Sequence, residues 1–139
     1  MKNYTDIEQS KKLSEILPLE SSDAFYPWRE LMKDYDSIYV PEKMLVSDLE
    51  EDDICAWSLA TLLNVLPNEI ITDNMFECHY QIHIRKYDGG DNTTLYQIAY
   101  GNNRGLSGSW HDMINTEEKE SLIDCCVQMI IKLHELKML

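Results

Sequence analysis

Between Phe76 and Ile84 the chain alternates without a break. Phe76, Cys78, Tyr80, Ile82 and Ile84 fall on one parity, and Glu77, His79, Gln81 and His83 on the other. Successive side chains of a strand point to opposite faces, so this period of two fits a strand buried on one side and wet on the other. Asp88-Gly89-Gly90-Asp91-Asn92 follows, a run of residues that turns favour because glycine accepts positive φ and Asp and Asn bond their own backbone. Thr93 to Tyr100 then returns as a second strand, which makes a hairpin. Gly101-Asn102-Asn103-Arg104-Gly105 reads as another turn, and Leu106 to Ile114 as a third strand carrying Trp110. The middle of the chain is thus expected to be an antiparallel meander.

Helical patterns flank it. Leu122, Cys126, Met129, Ile130, Leu133 and Leu136 recur at helical spacing, Asn115-Thr116-Glu117-Glu118 supplies capping residues and early acids, and Lys132, His134 and Lys137 suit the negative end of the helix dipole. Near the start, Thr5-Asp6-Ile7-Glu8 has the form of a capping box and opens a helix through about Leu17, which Pro18 ends. A central helix is expected over Ala56–Leu66, after the acidic run Asp48–Asp53 and before Pro67. Ala24–Tyr26 and Asp36–Val40 read as short strands, with a helical turn at Trp28–Met32 between them. No repeat or low-complexity linker divides the 139 residues. The expectation is one α+β domain over 1–139: a meander packed against a long C-terminal helix, with an N-terminal helix and a short central helix.

Charge limits the partners. The chain carries a formal −13, with 16 acidic and 6 basic side chains in residues 1–75 and 9 and 6 in residues 76–139. Such a surface repels phosphate backbones, so no direct nucleic-acid binding is expected, and it steers encounters towards a basic protein partner. No stretch approaches the ~18 uninterrupted apolar residues of a membrane span, so no membrane association is expected. Cys55, Cys78, Cys125 and Cys126 show neither CxxC nor zinc-finger spacing, and with no apolar leader in MKNYTDIEQSKK the reading is a cytoplasmic protein with free thiols.

The candidate chemistry is sparse. Residues four apart on a strand are separated by roughly 13 Å, too far for His79 and His83 to share one metal, and Cys78 points the other way. His111 and Asp112 are sequence neighbours, so on a strand they face opposite sides. Gly105-Leu106-Ser107-Gly108 is no nucleophile elbow, because its second glycine comes one position early. Asp88 to Asn92 is no calcium loop, because glycine is not sixth and Ala99 stands where the closing glutamate belongs. No catalytic residue, metal site or cofactor is therefore assigned. The polar set His79, Gln81, His83 and Arg85, with Arg104 from the following turn, is the candidate binding surface.

Three segments, TDIEQSKKLSEILPLESSD (5–23), AWSLATLLNVLP (56–67) and VQMIIKLHELKML (127–139), resemble a group of small proteins of unknown function from Bacteroides-type gut bacteria and their phages or mobile elements. The resemblance covers both ends and the Trp57 helix, about a third of the chain, and residues 25–47 are longer and more irregular than in the group. It implies a setting but no activity or site residue. The expected function is a non-enzymatic accessory or protein-interaction protein. Alternatives are a small-molecule binder or modest enzyme with a pocket at the polar strand face, or a DNA-mimic-like inhibitor. The edge strands of a meander also leave self-association as a homodimer open.

Overall fold

A computed structural model of the chain describes residues 2–27, 49–73, 77–104 and 108–139. The fold is α+β, and the backbone divides into two compact units, Met1–Val65 and Leu66–Leu139. The expected turn at Trp28–Met32, the strand at Asp36–Val40, and the strand residues Phe76 and Leu106 lie outside the described residues.

In the first unit, helix α1 (Ile7–Ser14) precedes the paired strands β1 (Ala24–Tyr26) and β2 (Ile54–Ala56), and helix α2 (Leu59–Val65) follows. The capping box sits one residue later than the sequence suggests. Asp6 caps the helix, accepting from the Gln9 N–H at 2.8 Å while the Gln9 side chain accepts from the Asp6 N–H. Thr5 is released for another task. It is fully buried, its Oγ1 accepts from the Trp57 N–H at 3.1 Å and lies 2.7 Å from Ser10 Oγ, and its carbonyl takes the Tyr26 hydroxyl at 2.7 Å. A polar side chain is retained at this depth because its hydroxyl is hydrogen-bonded to two partners.

The central helix is also shorter than expected. Ala56 ends β2 and Trp57 is buried with its Nε1 donating to Ser21 Oγ at 3.0 Å, so the helix begins only at Leu59. The acidic run consequently leads into β2, not into the helix. The helix start is tied instead by Asp23, which accepts from the Ser58 N–H and the Thr61 hydroxyl.

The second unit is a four-stranded antiparallel sheet in the order β3-β4-β5-β6: β3 (Glu69–Asp73), β4 (Glu77–Asp88), β5 (Thr94–Asn102) and β6 (His111–Asn115). Helix α3 (Leu122–Glu135) packs on β5. The alternating stretch is β4, and its turn to β5 takes positive φ at Gly90, Asp91 and Asn92. Strand β3 was not anticipated, although Ile70-Ile71-Thr72 is a β-branched run. Helix α3 is capped six residues beyond Asn115, the first residue of the capping cluster. Asn115 still belongs to β6, and Ser121 is the cap. Thr116 pairs with Ile98 through both N–H···O bonds around its backbone and side chain, which keeps this stretch in the sheet.

The helix buries Ile123, Cys126, Met129, Ile130 and Leu133, whereas Leu136 falls on its cap and is 54% exposed. Ile98 and Tyr100 turn towards it: Cys125 Sγ lies 3.1 Å from the Tyr96 carbonyl, and the Tyr100 hydroxyl donates to Pro67 O at 2.6 Å. The sheet therefore has a helix-covered face and an outer face. No helix among the described residues is long and apolar enough to cross a membrane.

Candidate functional site

Strand register assigns the outer face. Ile71 opposes His79, Glu69 opposes Gln81, His83 opposes Ala99, Arg85 opposes Gln97, and Gly101 opposes Asp112. Directly opposed residues share a face. His79, Gln81, His83 and Arg85 thus stand in one row along β4, with β3 residues to one side and β5 and β6 residues to the other.

His79 and His83 share that face but go to different neighbours. The Nδ1 of His79 contacts Glu69 of β3, and its Nε2 lies 3.3 Å from Glu77 Oε1. These carboxylates, Glu69 first, raise the imidazole above its ordinary pKa.

His83 instead stacks on Trp110, with centroids 3.5 Å apart and planes within 10°. The indole lies directly over Gly101, where an added Cβ would come within 2.9 Å of it. Its Nε1 donates to Asp112 Oδ1 at 2.6 Å.

Asp112 is the centre of the row's other half. Arg85 grips it with two bonds, Nη1 to Oδ2 at 2.8 Å and Nη2 to Oδ1 at 2.5 Å. The guanidinium, and secondarily Trp110, holds the carboxyl well below the usual carboxylate range, and Asp112 in turn raises Arg85. Gln97 completes the network: its Oε1 accepts from Arg85 at 3.2 Å and from the Tyr87 hydroxyl at 3.1 Å, and its amide donates to Thr116 O.

The remaining candidates are separate. Arg104 directs Nη1 to Cys78 Sγ at 3.1 Å, and Cys78 points away from the face of His79, so Arg104 does not join the row. Gln81 is exposed midway along it. His111 is exposed and does not bond Asp112, because a register shift at Tyr100/Gly101 turns Asp112 to Arg85. Ile84 departs from the expected burial and is 47% exposed, because β3 pairs only with Glu77–Gln81 and leaves the far half of β4 flanked by β5 alone.

Trp110, Asp112, Gln97 and Glu69 were not among the sequence candidates. Glu69 sits on the unanticipated strand, and the Trp110–Asp112 pairing depends on the bulge.

On this face His79 is paired with Glu69 and Glu77, and Arg85 with Asp112, while His83 stacks on Trp110 and Tyr87 donates to Gln97. Among the described residues no group of three or more His, Cys, Asp and Glu side chains is placed to hold a metal ion. The buried thiols are poor nucleophiles: desolvation raises Cys55 and Cys125, and pushes Cys126 up to about 12. Among the described residues, one shallow depression lies beside Asp6, Ile7, Glu8 and Tyr26 in the first unit, and another at the β4–β5 tip beside Lys86, Tyr87 and Asn92. What the row presents is a broad surface of Trp, Tyr, Arg and imidazole, with Ile71 beside it 55% exposed.

No family model, no curated protein and no solved structure matches this chain.

Proposed function

We propose that the chain is a non-enzymatic interaction protein that receives a basic protein partner on the outer face of its four-stranded sheet. The observation that carries this reading is the state of that face. His79 is held by Glu69 and Glu77, and Arg85, Asp112, Gln97 and Trp110 are linked to one another, so these groups organise a surface instead of converging on a reacting atom. Trp, Tyr and Arg are the residues that dominate binding hot spots, and Trp110, Tyr87 and Arg85 stand together on this surface.

Charge supplies the partner's sign. Glu8, Glu15, Glu51, Asp52, Glu118 and Glu120 are exposed, and none has an ion-pair partner among the described residues. A surface with this excess draws in cationic proteins and accelerates their docking more than it tightens the final complex. The four cysteines are free, which suits a reducing cytoplasm.

Capture of partners from a host lysate tests the reading. Gln81 makes no side-chain bond among the described residues, so Gln81→Arg adds a cation to the face, opposite Glu69, and leaves the Arg85–Asp112–Gln97 network in place. The expected result is a basic protein retained at low salt, released as salt rises, and retained less by Gln81→Arg. A chain that captures nothing at low salt, or whose capture ignores both salt and the substitution, contradicts the proposal.

A further inference from the structure

The far half of β4 has an open edge. β5 pairs with Gln81–Asp88, but β3 pairs only with Glu77–Gln81, so no described strand lies beside residues 83–88 on the β3 side. The Ile82 N–H reaches Asn68 O at 3.1 Å on that side, and this fixes the parity. In an antiparallel strand the N–H and C=O of one residue point the same way and alternate along the chain. Ile84 and Lys86 therefore direct both backbone groups out of the sheet. Ile84 is 47% exposed and Tyr87 37%, and Lys86 has no ion-pair partner among the described residues. A row of amides and carbonyls at strand spacing, with no strand partner among the described residues, fits one kind of ligand, another extended backbone.

We propose that a second copy of this chain adds its β4 to this edge, antiparallel across a two-fold axis centred on Arg85, to join two four-stranded sheets into one. A two-fold axis normal to the sheet keeps each face continuous, so only residues of like parity can oppose each other. Within residues 83–88 this leaves registers centred on Arg85 or on Lys86. Centring on Lys86 sets two unpaired ammoniums against each other, which is unfavourable. Centring on Arg85 opposes two guanidiniums, but each is neutralised by the bidentate grip of its own Asp112. In that register Ile84 meets Lys86 of the second copy, whose aliphatic stem covers it, and His83 meets Tyr87. The Ile84 and Lys86 pairs supply about four backbone hydrogen bonds. So short a ladder makes a weak, concentration-dependent dimer.

The −13 bodies repel, so screening tightens this dimer while it weakens capture of a basic partner. Salt thus moves the two proposals in opposite directions, and one can fail without the other.

Sedimentation of the full chain, from low micromolar to near-millimolar concentration at low and high salt, tests it. Lys86→Pro removes only an N–H that points out of the sheet, a position edge strands tolerate. Ile84→Lys opposes an ammonium to Lys86 of the second copy, and decides the matter if the proline variant fails to fold. The unsubstituted chain is expected to dimerise more tightly at high salt, each edge variant to weaken the dimer at least about tenfold, and Ile71→Lys on β3 to leave it unchanged. A chain that stays monomeric throughout overturns the proposal, as does a dimer indifferent to both edge variants. Reduced partner capture by Ile84→Lys in a monomeric chain also overturns it, and assigns the edge to a foreign strand.

Discussion

Asp112 shows how one residue organises the outer face. Its two oxygens receive both Arg85 nitrogens and the Trp110 indole, so the carboxylate fixes a cation and an aromatic ring together. Charge-assisted bidentate bonds are among the stronger polar contacts a protein makes, and this pair is only about a quarter exposed. Asp112→Asn is expected to lower stability at neutral pH by about 1–2 kcal/mol, allowing for that partial exposure. The pH dependence has a definite sign. Arg85 depresses the folded pKa below the unfolded carboxylate value of about 3.9, so the contribution is present above that value and is lost as pH falls towards and through the folded pKa. Urea unfolding from neutral to strongly acid pH should show the gap between the natural chain and Asp112→Asn closing below about pH 4. A gap that stays constant into acid would mean that the carboxylate's charge contributes nothing.

Among the elements, β4 was the most legible and β3, which was not anticipated, the least. A period of two needs only the strand itself, so the sequence places His79 and His83 on one outer face, and parity already separates them from Cys78. The partners of those rings were hidden because they come from elsewhere: Glu69 from β3, and Trp110 and Asp112 from the segment around the Tyr100/Gly101 shift. Local periodicity carries no register across strands, and a bulge changes which side chains meet without any mark on the alternating strand. Helix limits slipped for a related reason. Thr5 and Asn115 are good capping residues by type, but tertiary bonds draw Thr5 into the core and Asn115 into the sheet.

Gly101 marks the point where β5, β6 and the indole converge. An added Cβ would stand 2.3 Å from His111 O and 2.9 Å from Trp110. Gly101→Ala should therefore destabilise by about 1–3 kcal/mol or more through displacement of β6, and should unstack Trp110 from His83. Denaturant melts read the first effect and the indole's fluorescence the second.

For the whole molecule, the proposed function divides between charge and surface. On that proposal the excess of exposed carboxylates selects basic partners and steers their approach, and the paired aromatic and polar face provides the landing surface. Neither feature needs a pocket or a reacting group. The central claim is that a partner lands on the outer face. A photo-crosslinking residue placed at Gln81, midway along the row, and irradiated in the living host tests this most directly. The account predicts a covalent adduct with a protein of net positive charge, lost when the same probe is moved to exposed Glu15 in the first unit. Irradiation that yields no adduct at position 81, or an adduct with an acidic protein, would contradict it.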